Sequence, residues 1–163
     1  MRRLIPLLLF WSISASAATL VGQVVGVTDG DTVTVLDEQK QQHKVRLAGI
    51  DAPEKKQPFG QRSKEALSDA VFGKTVSVEW NKLDRYGRII GKIVVDARDV
   101  NLSQVEVGLA WWYQQYSAEQ SVGDRQLYAL TEENARRERL GLWSEAEPTP
   151  PWDWRKLKKA SRK

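Results

Sequence analysis

At residues 46–54 the chain reads RLAGIDAPE, a stretch that ends a strand and places two carboxylates just beyond it. Arg46 and the two residues after it suit a strand. Pro53 lacks an N–H and pushes the residue before it into an extended conformation. The carboxylates of Asp51 and Glu54 are therefore predicted to lie at a strand end, on backbone with little freedom. Such a place is suited to holding a metal ion and orienting a water molecule.

Valine-rich runs, two of them cleanly alternating, with polar turns between them predict five strands around this stretch. The first three form an antiparallel meander, and Gly30 supplies a flexible turn between the first two. The predicted strands cover residues 19–27, 32–36, 44–50, 74–80 and 88–95.

Helical spacing predicts a helix over residues 59–72, which Gly73 ends, and a long helix over residues 119–140. Asn101 is predicted to cap a short helix that ends at Gly108. Five strands with a helix after the third indicate an α+β fold, a five-stranded Greek-key β-barrel of the OB type with about three α-helices.

The N-terminus is typical of a secretory signal peptide. Two arginines precede an apolar run over residues 4–13, and Ala-Ser-Ala follows at 15–17 as a cleavage site. A membrane anchor is the alternative, but about ten apolar residues are too few to span a bilayer. We predict a signal peptide at residues 1–17, one domain at 18–147 and a basic tail containing Pro and Trp at 148–163. The mature protein would be periplasmic or secreted, with no membrane segment.

Composition restricts the chemistry of any metal site. The chain has 163 residues, no cysteine and a single histidine, His43. Disulfides and zinc–thiolate sites are excluded, and a metal would have to be held by oxygen, as calcium, magnesium and manganese are. Acidic and basic residues are nearly balanced without Arg2 and Arg3, so net charge does not by itself indicate nucleic-acid binding.

Three carboxylates are candidates for the chemistry. Asp31 and Asp51 could reach one hard cation if the second and third strands pair, with a backbone carbonyl and water completing the shell. Glu54 lies a short distance further on and is the candidate general base. The alternatives are that Asp-Gly-Asp at 29–31 serves only its turn and that Glu54 is an ordinary surface residue.

Arg46 and Arg88 indicate the kind of ligand. Two guanidinium groups beside a cation site suit an anionic phosphodiester, because they match phosphate oxygens and stabilise the charge of a five-coordinate transition state. Ordinary salt bridges are the alternative for each arginine taken alone.

These segments together resemble the thermonuclease family, whose type member is staphylococcal nuclease. The resemblance rests on DGDTV at 29–33, the stretch from Arg46 to Glu54, and DRYGR at 84–88. GLA at 108–110 and LWSE at 142–145 agree with later landmarks of the family. The resemblance extends from about residue 19 to 145 and implies that 18–147 is a nuclease domain.

The resemblance implies calcium-dependent hydrolysis of DNA and RNA to 3′-phosphate ends. No oligomer is indicated by the sequence, and we expect a monomer. It implies calcium binding by Asp31, Asp51 and the carbonyl of Ala52, where the type member has threonine. The other implied roles are general base (Glu54), phosphate binding by arginine (Arg46 and Arg88) and substrate contact (Arg85, Tyr86 and Tyr116). Gln114 stands where the type member has a tyrosine near the bases.

Two other classes of function compete with a nuclease. A non-catalytic OB-fold module could bind single strands through the aromatic residues 111–116 and the basic tail. A calcium-binding surface protein would leave the two arginines unexplained. The tail itself is either an arm that adds nucleic-acid affinity or a disordered end beyond Pro148, Pro150 and Pro151, which are expected to stop regular structure.

Overall fold

The computed structural model describes residues 18–161, so the predicted signal peptide lies outside the described residues. The strands are β1 (Ala18–Asp29), β2 (Thr32–Asp37), β3 (Gln42–Leu47), β4 (Ile50–Asp51), β5 (Thr75–Leu83), β6 (Ile89–Val95), β7 (Arg98–Asp99) and β8 (Trp111–Trp112). The helices are α1 (Gly60–Val71), α2 (Val100–Glu106), α3 (Val122–Arg137) and α4 (Pro151–Ala160), with 3₁₀ turns at Gln114–Glu119 and Gly141–Ser144.

Five strands close into a mixed barrel. β1 pairs antiparallel with both β2 and β5, β2 pairs with β3, and β5 pairs with β6. Parallel pairing of β3 with β6 closes the barrel, with Val45 opposite Ile89. The predicted α+β fold with a five-stranded OB-type barrel is confirmed.

The barrel interior follows the period of two that a pleated strand imposes. In β6 every second residue is buried, and the interior residues of β2, β3 and β5 are almost entirely valine and leucine. Leu67 and Val71 of α1 pack into the same core. Burying these aliphatic side chains is the main source of the barrel's stability.

Two helices, α3 and α4, differ from the sequence-based predictions. The long helix α3 begins at Val122, because the hydroxyl of Ser121 accepts a hydrogen bond from the amide of Asp124 and caps it. Pro151 begins the additional helix α4 instead of stopping regular structure, since proline is well tolerated in the first helical turn.

Among residues 18–161, no helix combines the length and the apolar character needed to cross a membrane.

The prediction that Asn101 caps α2 is wrong. Asp99 caps this helix, accepting a hydrogen bond from the amide of Leu102 at 3.0 Å. Asn101 is fully buried and ties the turn after β3 to strand β6. Its amide nitrogen donates to the carbonyls of Ala48 and Gly91, both at 3.0 Å, and its oxygen accepts from the amide of Ile93 at 3.1 Å.

Asn101→Ala is expected to lower the free energy of unfolding by about 3 kcal/mol, because it leaves buried backbone groups without partners. Urea unfolding followed by tryptophan fluorescence measures the effect. The matched control is Asn81→Ala, at an exposed position of β5. Equal stability of the two variants would show that the Asn101 hydrogen bonds contribute little.

Candidate active site

The barrel brings Asp31 and Asp51 together at one end. The register between β2 and β3 places Thr32 opposite Arg46, and the amide of Leu47 donates to the carbonyl of Asp31 at 2.8 Å. The predicted third strand, 44–50, ends early at Leu47, because Gly49 turns the chain with a φ of 74°. The short strand β4 then carries Asp51 back into the interior.

Arg46 connects the two aspartates directly. Its Nη1 donates to Asp31 Oδ1 at 2.6 Å, and its Nη2 donates to Asp51 Oδ1 at 3.0 Å. The amide of Ala52 donates to the second oxygen of Asp31 at 2.9 Å. Both carboxylates are almost completely buried, at 3% and 1% exposure, so they need this compensation by positive charge.

The pKa shifts reflect this crowding of negative charge. Burial raises the pKa of Asp51, and the charge of Asp31 adds to the shift although Arg155 and Arg46 oppose it. Burial also raises the pKa of Asp29 to about 6, again with help from Asp31. Burial alone would lower the pKa of Arg46, but the two aspartates beside it outweigh burial and raise it. The site therefore favours additional positive charge.

Glu54 lies on the loop between β4 and α1 and is less buried than the aspartates. Its amide donates to Gln57 Oε1 at 3.1 Å, which fixes the loop. Its carboxylate is 41% exposed and accepts a hydrogen bond from Arg155 Nη1 at 2.8 Å. A half-exposed carboxylate held beside Asp51 can accept a proton from a water molecule in the cleft.

Arg88 faces the cleft from the hairpin between β5 and β6. Its Nε donates to Asp84 Oδ2 at 2.7 Å, and Asp84 Oδ1 accepts from the amides of Tyr86 and Arg88, both at 2.9 Å. The guanidinium carbons of Arg85 and Arg88 lie 4.8 and 5.6 Å from the centre of the Tyr86 ring. The tip of the hairpin is thus a cationic surface with an exposed aromatic ring.

All the site residues predicted from the sequence line one cleft of about 640 Å³. They are Asp31, Arg46, Asp51, Ala52, Glu54, Arg85, Tyr86, Arg88 and Tyr116. Asp31, Arg46 and Asp51 are in direct contact, whereas the hairpin residues contact one another and reach the cleft from a different side.

The sequence-based prediction missed Arg155. This residue of α4 donates from Nη2 to Asp51 Oδ2 at 2.7 Å and from Nη1 to Asp51 Oδ1 at 3.2 Å. The same Nη1 reaches Glu54, so one guanidinium joins two of the predicted functional carboxylates. The feature of the sequence that could have indicated this contact is the pair Trp152 and Trp154, which gives the basic segment an apolar side that can pack against the domain.

The donor atoms fit a hard cation. Asp31, Asp51 and the carbonyl of Ala52 offer only oxygen, which calcium and magnesium prefer. Within residues 18–161, no group of three or more His, Cys, Asp or Glu side chains is placed to hold a metal. A cation at this place would meet the carboxylates of Asp31 and Asp51, the carbonyl of Ala52 and water.

Comparison with known proteins gives consistent names. The family model described as "Staphylococcal nuclease homologue" matches residues 44–145. An Escherichia coli protein named "Uncharacterized endonuclease" is 43% identical over 160 residues, covering 97% of this chain and 100% of its own length. A Shigella flexneri protein named "Micrococcal nuclease" is 40% identical over 147 residues, covering 85% of this chain and 82% of its own. A staphylococcal-like nuclease of Arabidopsis thaliana is 39% identical over 71% of this chain and 34% of its own.

Proposed function

Since the chain belongs to the staphylococcal nuclease family and is a nuclease hydrolase acting on nucleic acid, we propose that it is calcium-dependent and cuts DNA and RNA to 3′-phosphate ends. The observation that carries this proposal is the arrangement of Arg46, whose guanidinium spans two buried carboxylates in the cleft that also holds Glu54 and Arg88. The carboxylates there could bind a cation, and the arginines could bind the phosphate group of a substrate.

Asp31, Asp51 and the carbonyl of Ala52 are the residues that would hold calcium. When bound, the cation supplies positive charge that polarises the phosphate. Few protein ligands imply weak binding, and calcium sites of extracellular proteins typically bind at about 10⁻⁴–10⁻³ M.

Hydrolysis then depends on three side chains. Glu54 takes a proton from a water molecule, and the water oxygen forms a bond to phosphorus as the bond to the 5′-oxygen breaks. The 5′-oxygen leaves and takes up a proton from solvent water, while the phosphate stays on the 3′-oxygen. Arg46 and Arg88 donate hydrogen bonds to the phosphate oxygens and stabilise the charge that develops on them.

The rest of the cleft would bind the nucleic acid. Arg85 provides a positive charge for the backbone, and Tyr86 and Tyr116 are exposed rings that can contact the phosphate or the bases. Tyr116 packs edge-on against Tyr113 at 4.8 Å, which fixes its ring at the cleft. These groups recognise features shared by DNA and RNA, in keeping with a substrate range that includes both.

Export of a monomer is part of the same proposal. The arginines, apolar run and Ala-Ser-Ala site of residues 1–17 support removal of a signal peptide before Ala18. A periplasmic or secreted enzyme would meet calcium at concentrations that suit a weak site.

Asp51→Asn is expected to weaken calcium binding by at least about tenfold, because it removes a charged ligand from a site with only two. Isothermal titration calorimetry without nucleic acid measures the dissociation constant. Asp69→Asn, at an exposed position of α1, is the control with the same change of charge. Equal calcium affinity in both variants would remove Asp51 from the metal site.

The reaction itself is tested by the ends of the products. Labelled DNA and RNA oligonucleotides are incubated with the protein in calcium, and the fragments are tested for extension by a polymerase before and after phosphatase treatment. We expect extension only after phosphatase treatment, because a 3′-phosphate blocks it. Fragments that extend without phosphatase would contradict the proposed bond cleavage, and binding without cutting would favour the OB-fold binding module.

A further inference from the structure

Arg155 enters the cleft from a part of the chain far from the other site residues. It lies 101 positions after Glu54 and 104 after Asp51, yet its guanidinium makes three hydrogen bonds to their carboxylates. The contact to Asp51 uses both terminal nitrogens of the guanidinium and both carboxylate oxygens, which is the strong two-point geometry of such pairs. A charged side chain on a solvated tail would not be held in this way.

Packing of α4 places Arg155 there. The ring of Trp152 stacks on Tyr113, with centres 5.2 Å apart and planes 8° from parallel, and meets the edge of Trp111 at 5.6 Å. Gln57 donates from Nε2 to the carbonyl of Thr149 at 2.6 Å and so ties the start of the helix to the Glu54 loop. The N-terminal end of the helix is therefore anchored by Trp152 within its first turn and by Thr149 just before it.

We propose that Arg155 is a positioning residue of this active site, which holds the Glu54 carboxylate beside Asp51 and sets the affinity for the cation. This inference rests on the proposed function, in which Glu54 is the base and Asp51 a ligand.

Positioning follows from the way Glu54 is held. Its loop is fixed through the backbone amide by Gln57, but the carboxylate itself lies at the end of a flexible side chain. Within residues 18–161, Arg155 is the one group that donates a hydrogen bond to that carboxylate. A general base must be held within hydrogen-bond distance of the proton it removes, and a misplacement of about 1 Å can cost about 10²-fold in rate.

The effect on the cation follows from charge. Asp51 shares its two oxygens between Arg46 and Arg155, so a cation at Asp51 lies close to both guanidinium groups. Like charges a few ångströms apart repel, and removal of the Arg155 charge would lower the free energy of the bound cation. Arg46 also forms an ion pair with Asp31, so its replacement would leave Asp31 without that partner. Arg155 is only partly buried and pairs with Asp51, so it can be replaced without disturbing Asp31.

Loss of Arg155 is therefore expected to strengthen calcium binding but to slow turnover, whereas a folding defect would weaken both. In Arg155→Gln we expect calcium to bind about tenfold more tightly. At saturating calcium and DNA we expect turnover to fall about 10- to 100-fold, with KM nearly unchanged. Arg155→Lys keeps the charge, so it should restore calcium affinity and recover part of the turnover.

The experiment measures calcium binding by calorimetry without DNA, and turnover on plasmid DNA across a calcium titration. The matched control is Lys156→Gln, the next residue of α4 with the same loss of charge; its side chain is 76% exposed and pairs with Asp153. This control is expected to resemble the unmodified protein in both measurements. Weaker or equal calcium binding in Arg155→Gln would overturn the proposal, and faster turnover would show that Arg155 blocks the site instead of positioning it.

A double variant separates this inference from the proposed function. If Arg155 acts through Glu54, Arg155→Gln should cause little further loss of turnover in a Glu54→Gln background. A full additional loss would overturn the positioning role. Unchanged turnover in Glu54→Gln alone would instead reject the base assigned under the proposed function, and the calcium measurement would still decide whether Arg155 opposes the cation.

Discussion

Glu54→Gln is expected to lower the turnover number for DNA cleavage by about 10³-fold, since a positioned general base contributes about 10²–10⁴-fold. The amide has nearly the same shape as the carboxylate and still offers an oxygen to Arg155, so the loop should stay in place. DNA affinity and the free energy of unfolding should change little. Single-turnover cleavage in saturating calcium measures the chemical step directly.

The control for this variant is Glu38→Gln, in the exposed turn between β2 and β3. It makes the same chemical change on the surface and should leave turnover unchanged. If both variants cut DNA at the unmodified rate, Glu54 is not the base, and the exposed-glutamate alternative holds. If Glu54→Gln also loses DNA binding, its role is in forming the cleft.

Arg46→Gln is expected to affect both catalysis and stability. Loss of one donor to a developing phosphate charge costs about 10²–10³-fold in turnover. Loss of one partner from a buried ion pair costs about 3–5 kcal/mol, and here two buried aspartates, Asp31 and Asp51, lose the same partner. Urea unfolding and cleavage rates measure the two effects separately.

Arg88→Gln provides the comparison, because Arg88 pairs with the less buried Asp84 on a hairpin. It should lose turnover with a much smaller change in stability. Calcium should also restore part of the stability of Arg46→Gln, since it supplies positive charge to the same two aspartates. Equal loss of stability in the two variants, or no effect of calcium, would contradict the role given to Arg46 at the buried pair.

The barrel could be predicted from the sequence because its determinants are local. Threonine and valine alternate from Thr32 to Val35 in β2, and the helix between β3 and β5 is followed by Gly73, so period and breakers identify these elements. The predicted end of the third strand was too late because the hydrophobic pattern continues through Ile50. What ends β3 is the positive φ of Gly49, which the pattern does not reveal.

Asn101 and Arg155 could not be assigned from local sequence for a different reason. Asp99 and Asn101 are both good capping residues, and the choice between them depends on carbonyls of Ala48 and Gly91 that only the folded barrel brings near. Arg155 depends on contacts across more than 100 positions. By contrast, Asp31, Arg46, Asp51 and Glu54 were recognisable because strand pairing and a short loop fix their separation.

The most direct test of the central claim is plasmid cleavage by the unmodified protein and by Glu54→Gln, each with calcium and with a chelator. We expect the unmodified protein to cut in calcium and to stop in chelator, and we expect the calcium-dependent rate of the variant to be at least about 10²-fold lower. Cutting that continues in chelator would contradict the assignment of Asp31 and Asp51 as metal ligands. An unchanged rate in the variant would contradict hydrolysis by a base at Glu54.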